Sequence, residues 1–480
     1  MTVLPGGLRV CLESVPQYGR GLAAVALTVA AGGDDDPAGR HGTAHLVEHL
    51  MFPRSGREGS ADPAGEGYAA LVAGAGGVCN AETHRDHTVF HTTVPAELLP
   101  DALAWEAGRL LGFAPTEDVI RTETDVIGEE IRGAGDAGRY WESALGALYP
   151  GSRDSFGTQA ELAGITSGEV EAFFRAHYTA PRMVLSVVGD VDPARVMAVV
   201  REVFGGVGVI GVAGVARAAV EIPAAGEPRA AEGIRAAGVA RVAGEPRAAE
   251  GIRAAGEVRT ARESRTAEQT QAARAPRAAE APRAATEIRT APLPAARPGV
   301  AVGHPLPDPV ADRPAYLAAA VLAQVLGRSR LPALARSARD GHRLTSATVT
   351  CGYHGQWLAS AAPDLILAVL GRAPGTEVGR AVDIWRSVLR AVADGPLPEA
   401  EHRRAVNSLL VAWHRQADSL PTRAVALGRD ALLLPGSAGP DALPAELRRT
   451  TPAEVAAAAR ALLEGPVTVT ELAPQKGTVG

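Results

Sequence analysis

Residues 41–52 read HGTAHLVEHLMF, and within them His45, Glu48 and His49 form the pattern H-x-x-E-H, followed directly by apolar Leu50, Met51 and Phe52. On a helix, positions four apart share a face, so His45 and His49 can point at one metal ion. Glu48 then sits beside them without having to be a ligand. Two imidazoles suit zinc, and a nearby carboxylate can take the proton from a bound water. The pentapeptide by itself also fits a solvated helical face that carries two histidines, so a further ligand is needed to decide. His41 lies before the helix proper, at the end of the polar, turn-rich loop of residues 32–42, and is not counted as a ligand.

Two histidines leave zinc short of a third protein ligand, which an acid from a second helix can supply. Residues 121–133 read RTETDVIGEEIRG, with helix-forming acids around an apolar step at Val126, Ile127 and Ile131. Glu123, Glu129 and Glu130 are the candidates. Acidic runs of this kind are usually solvent-facing, and the spacing alone does not choose among the three.

The order H-x-x-E-H is that of the inverzincins. With the segment at 123–130, ETDVIGEE, the N-terminal half resembles the M16 metallopeptidases, the family of pitrilysin, insulin-degrading enzyme and mitochondrial processing peptidase. That family carries a distal glutamate inside a pattern like E-R-D-V-I-x-x-E. The resemblance implies Glu130, 81 residues after His49, as the third zinc ligand. It implies Glu123 as an accessory acid of the catalytic centre and leaves Glu129 on the surface.

Residues 76–91, GGVCNAETHRDHTVFH, alternate as a strand and its return would. By itself Asn80 reads as a turn residue. The segment resembles the M16 pattern G-G-x-x-N-A-x-T-x-x-D-x-T-x-Y, matching at Asn80, Ala81, Thr83, Asp86 and Thr88, with Phe90 in place of tyrosine. The resemblance implies an edge strand on which Asn80 and Ala81 bind the backbone of an extended peptide substrate. Such an edge reads main chain rather than sequence. Cys79, His84, His87 and His91 form no partner pattern and are expected to be structural.

The 480 residues allow two or more domains, and a net charge of −6 gives no reason to expect nucleic acid. Three scattered cysteines, Cys11, Cys79 and Cys351, are too few for a disulfide framework or a cysteine metal site. A reducing cytoplasm is the expected setting. No basic, apolar leader opens the sequence, and no apolar run approaches membrane-spanning length.

Residues 2–12 read as a strand turning at Pro5-Gly6-Gly7, and 22–30 as a second strand. Residues 99–114 and 116–134 read as paired helices, 160–178 as another helix, and 183–188 as a buried strand. That last segment resembles the M16 pattern Y-x-x-x-N-M-x-L-x-V-x-G-D, with Arg182 where asparagine is usual. From about 208 the composition turns to Ala, Arg, Glu, Gly and Pro, and GEPRAAEGIRAAG occurs at 226–238 and again at 244–256. With one Ile per unit these repeats cannot stack as a solenoid, and the span reads as a disordered linker. The remainder reads as a second domain, with helices at 314–327 and 378–393 and strands at 345–351 and 467–472.

The expected organisation is therefore a catalytic M16-type domain at 1–207, a linker at 208–298 and a second M16-like domain without zinc ligands at 299–480. The fold class is α+β: two similar sandwich halves, each an antiparallel-rich sheet with helices packed on it. The resemblance implies a zinc-dependent endopeptidase for short or unfolded peptides, with one Zn2+ per chain and Glu48 as general base. Many M16 proteins also carry an arginine and, seven residues later, a tyrosine that polarise the substrate carbonyl. Here Arg336 fits the arginine, but Arg343 or Leu344 stands where the tyrosine is due, and Tyr353 is too far along. That departure implies a zinc-bearing subunit of a heterodimer whose partner supplies the Arg/Tyr pair. Processing of leader peptides suits such a design; the rival expectation is a catalytically silent scaffold subunit.

Overall fold

The structure, a computed structural model, describes residues 1–52, 67–133, 136–152, 155–205, 282, 287–336 and 344–474. The chain forms two compact units, one of residues 1–128, 155–277 and 419–432, the other of 129–154, 278–418 and 433–480. One continuous helix, Glu117–Gly133, runs across the first division.

The first unit holds a six-stranded sheet of β1 (Thr2–Val3), β2 (Arg9–Ser14), β3 (Leu22–Val29), β4 (Val78–Thr83), β5 (Thr88–Pro95) and β6 (Met183–Gly189), in the order β1-β2-β6-β3-β5-β4. Only β2 and β6 run parallel. Alternation along the strands assigns the two faces. Val94 packs with Ala102 and Trp105 of the helix Leu99–Leu111. Ala24, Ala26 and Val89 face the other way, onto Ala424 and Val425 of the helix Leu420–Leu433. That helix, distant in sequence, is tied down by Arg423, whose Nε lies 2.8 Å from both carboxylate oxygens of Glu13, and by Arg9 donating to the Ala431 carbonyl at 2.7 Å.

The second unit repeats this plan. Its strands are β7 (Glu287–Arg289), β8 (Leu293–Ala295), β9 (Gly299–Pro305), β10 (Leu344–Cys351), β11 (Leu365–Arg372) and β12 (Val467–Pro474), ordered β10-β11-β9-β12-β7, with β8 also on β12. As in the first sheet, where β2 runs parallel to the last strand β6, an early strand, here split into β7 and β8, runs parallel to the last strand, β12. One face, with Val300, Val302, Ile366 and Leu370, packs on the helices Arg313–Val325, Val378–Ala393 and Pro452–Glu464. The other, with Ala301, Leu365 and Leu367, packs on Tyr140, Trp141 and Ala144 of the helix Asp136–Leu148. Each sheet is thus covered on one face by a helix drawn from the other half of the sequence.

The two expected halves are both present. The boundary expected at 298 falls differently, since β7 and β8 lie inside 208–298 and complete the second sheet. Their backbones find parallel partners on β12, an interaction that their Arg-, Glu- and Pro-bearing sequence does not announce. Residues 208–281 and 283–286 of the expected linker lie outside the described residues.

Close packing of helix on sheet makes one glycine informative. A Cβ on Gly303 of β9 would stand 2.8 Å from the Ala144 Cβ and 2.6 Å from the Thr468 hydroxyl. Overpacking of this kind costs about 1–3 kcal/mol. A Gly303→Val variant is expected to lose stability in that range in chemical denaturation, whereas an unchanged midpoint would contradict this packing of the Asp136–Leu148 helix.

Candidate metal centre

His45, Glu48 and His49 lie on the helix Thr43–Leu50, whose approach is set by two glycines and an aspartate. Gly42 takes φ +99°, a region that favours glycine. The first N–H groups of a helix lack intrahelical acceptors. Asp36, buried, answers this with both oxygens: Oδ2 accepts from Gly42 N at 2.7 Å and Oδ1 from Ala44 N at 2.8 Å. His41 Nδ1 lies 3.3 Å from Asp36 Oδ2, so this histidine belongs to the cap. Gly157 stacks against Gly42, where a Cβ would stand 2.5 Å from the Gly42 Cα, and this closeness brings Phe156 to His45.

His45, His49 and Glu130 offer ligand atoms that all lie within 4.8 Å of one another, and they are the group of this kind among the described residues. Donors sharing a tetrahedral zinc at about 2.0–2.2 Å stand roughly 3.4 Å apart, so small side-chain rotations bring this set onto one ion. Two imidazoles and one carboxylate are a donor set that leaves a fourth position open. The residues therefore fit zinc. The rings of the two histidines meet edge to face, with centroids 4.8 Å apart.

A second layer orients these donors. Glu123 Oε2 lies 3.1 Å from His49 Nδ1, which fixes the proton on that nitrogen and leaves Nε2 for a metal. His45 Nδ1 is 3.5 Å from the Phe156 carbonyl. Seven residues along a helix bring Glu123 and Glu130 to the same side. Glu129, a quarter turn or more away from them, is exposed and paired with Arg132 at 2.6 Å. Glu48 is buried, and its Oε2 accepts from the Thr83 hydroxyl at 2.5 Å.

The strand β4 ends the sheet, pairing with β5 on one side. Its residues alternate between exposed and half-buried. Thr83 points to Glu48; by alternation Asn80 and Glu82 face the opposite side of the sheet, with Asn80 exposed. The hydrogen bond from His84 holds the Glu82 carboxyl below the usual range. Burial, with His84 alongside, lowers His87 to about 4 and keeps it neutral.

The structure also shows supports that sequence reasoning did not find. Beyond the helix end, Phe52 meets a buried ion pair in which Arg109 contacts Glu106 at 2.6 Å and Glu106 accepts from the Tyr68 hydroxyl at 2.9 Å. The Arg109 guanidinium lies 4.1 Å from the Tyr68 ring centroid, 4.6 Å from that of Phe90 and 5.6 Å from that of Phe52. The signal was an i,i+3 acid–base pair on the apolar face of a helix. Arg182, where asparagine is usual, donates to the Ala30 carbonyl and approaches Asp35 at 3.7 Å. Arg336 ends the helix Leu331–Arg336; of the two residues at the tyrosine position, Leu344 opens β10, while Arg343 lies in 337–343, outside the described residues. Tyr353 is a core residue, edge-on to Trp141 at 4.8 Å.

Residues 11–134 match the model of Insulinase (Peptidase family M16), and residues 164–241 that of the Peptidase M16 inactive domain. The chain is 33% identical over 209 residues to an uncharacterized zinc protease of Mycobacterium leprae, covering 42% of this chain and 45% of that protein. It is 29% identical over 211 residues to a probable mitochondrial-processing peptidase subunit beta of Arabidopsis thaliana, covering 42% and 38%. The chain thus matches less than half the length of these curated relatives. Among solved structures, a protease from Helicobacter pylori is similar with a TM-score of 0.71 at 16% identity over 98% of each chain. A chain of complex III2 from Candida albicans is similar with a TM-score of 0.66 at 10% identity, covering 100% of this chain and 97% of that one. At such identities the structural likeness carries the fold alone. These matches assign residues 11–134 and 164–241 to M16 domain families.

The Asp36 cap is testable. Replacing a carboxylate cap by alanine costs about 0.5–2 kcal/mol. Asp36→Ala is expected to destabilise the protein by that amount in denaturant titrations, with Asp36→Asn, which keeps one accepting oxygen, falling between. Equal stability of all three would contradict the capping role.

Proposed function

We propose that the chain is a zinc-dependent endopeptidase acting on short or unfolded peptides, with zinc held by His45, His49 and Glu130. The supporting observation is the convergence of these three donor groups within 4.8 Å, with Glu48 buried on the same helix as the two histidines. A zinc ion bound there supplies a Lewis acid that polarises the scissile carbonyl and acidifies water. Glu48 accepts the proton of the attacking water on the carboxylate oxygen not held by Thr83, and returns it to the departing amine. Glu123 keeps His49 in one tautomer and balances positive charge beside it. The edge strand β4 receives the substrate as an added strand, with Asn80 and Ala81 aligning its backbone.

The chain works as the zinc-bearing subunit of a heterodimer and processes leader peptides. Support comes from the Arabidopsis relative, by name a subunit of a processing peptidase, and from Tyr353, which is packed in a core and is no substitute for the carbonyl-polarising tyrosine. A partner M16 subunit then supplies the Arg/Tyr pair. The likeness to a complex III2 chain favours a second reading, a silent scaffold subunit. Against it stands the full set His45, Glu48, His49 and Glu130, which a scaffold does not require. Among the described residues no helix is long and apolar enough to cross a membrane.

Hydrolysis of an unstructured fluorogenic peptide, with the partner subunit added where the chain alone is silent, tests the reading. Cleavage is expected to stop with a zinc chelator, return with zinc, and fall by at least about 100-fold in Glu48→Gln, in line with loss of a general base. Wild-type turnover in that variant, or in the presence of chelator, would contradict it.

A further inference from the structure

We infer that Thr83 is a positioning residue for Glu48, its hydroxyl fixing the carboxylate in the orientation from which one oxygen accepts a proton. The inference rests on the reading of Glu48 as proton acceptor.

Thr83 is the last residue of β4 and pairs with Thr88 across the hairpin. Its Oγ1–H donates to Glu48 Oε2 at 2.5 Å. The carboxylate, which can only accept, sets this direction. Thr88 Oγ1–H donates to the Ala31 carbonyl at 2.8 Å, which commits its proton, while the two threonine oxygens lie 3.5 Å apart. Thr88 can then only accept from Thr83, at 3.5 Å, so the Thr83 proton goes to the carboxylate oxygen, which only accepts and lies far closer, at 2.5 Å. A β-branched side chain also has few rotamers to lose, so the donor is held in place before any ligand arrives.

The hairpin tip is pinned more firmly than a four-residue turn requires. His84 N donates to the His87 carbonyl at 2.8 Å, and Gly33 N and Asp34 N donate to the carbonyls of His84 and Arg85 at 3.1 and 2.8 Å. Arg85 returns to both carboxylate oxygens of Asp34 at 3.0 and 3.2 Å. The imidazoles of His84 and His87 stack with centroids 4.4 Å apart, and His87 Nδ1 lies 2.8 Å from Asp86 Oδ1. At Gly32 a Cβ would collide with the His84 carbonyl, so glycine permits this approach. The same turn leads into Asp36 and the metal helix. Thr83 and Glu48 are therefore anchored to one rigid frame from two directions, and holding a group at a productive angle is worth substantial rate.

The test compares Thr83→Val, which keeps the shape and removes the hydroxyl, with Thr83→Ser, which keeps the hydroxyl. In peptide hydrolysis by the zinc-loaded chain, with the partner subunit where required, valine is expected to lower kcat about tenfold or more with KM within about twofold, as loss of a hydrogen bond to a charged group does. Serine is expected to restore kcat to within about threefold, and valine to add no further loss in the Glu48→Gln background. In crystal structures of the metal-free proteins, Glu48 should keep one side-chain conformation in wild type and serine and leave it in valine. Wild-type kcat in valine with Glu48 unmoved, or serine as impaired as valine, would overturn the inference. If the zinc-bound wild type cleaves nothing, the Glu48 reading fails, and the metal-free structures alone decide whether Thr83 orients it.

Discussion

An eight-residue helix does not hold itself together in water, and the Thr43–Leu50 helix, which carries three of the four residues of the proposed metal centre, is that short. Its persistence depends on the buried carboxylate of Asp36, which accepts from the N–H groups of Gly42 and Ala44. Buried Ala44, Leu46, Val47 and Leu50 supply the apolar contact, and Phe52 continues into the Arg109 and Tyr68 cluster. Burying the charges of Glu106 and Arg109 is costly unless they are paired, and their close bidentate contact with the stacked rings meets that condition. The helix is thus clamped at its start by a carboxylate and followed at its end by a buried cation.

Around this helix the polar partners come from separate elements. Glu123 comes from the Glu117–Gly133 helix, the Phe156 carbonyl from the loop before Gly157, and Thr83 from the sheet edge. Each fixes one degree of freedom: a tautomer, a ring orientation, a carboxylate torsion. This division matters for a centre whose ligands must be in place before the ion arrives, because any freedom left in them is lost on binding.

The sequence made the helix and its histidines legible because i,i+4 spacing is a local property of the backbone. The third ligand was less so. Glu123, Glu129 and Glu130 share one helix, and periodicity alone leaves three acids open; family resemblance pointed to Glu130, and the geometry brings Glu130 beside the histidines and turns Glu129 to Arg132. Asp36, Gly157 and Arg109 were not read, since each acts through a contact distant in the chain. The strands β7 and β8 hid in a low-complexity composition because their pairing is supplied by β12. The covering helices were hidden for the same reason: Leu420–Leu433 serves the first sheet and Asp136–Leu148 the second, an exchange that no local pattern encodes.

The central claim is that His45, His49 and Glu130 hold one zinc. It is tested most directly by the zinc content of the purified chain, measured by elemental analysis alongside Glu130→Gln and Glu129→Gln. The account predicts one zinc per chain in wild type and Glu129→Gln, and a loss of most of it in Glu130→Gln after dialysis against a weak chelator. Full zinc retention in Glu130→Gln, or equal loss in both variants, would contradict it.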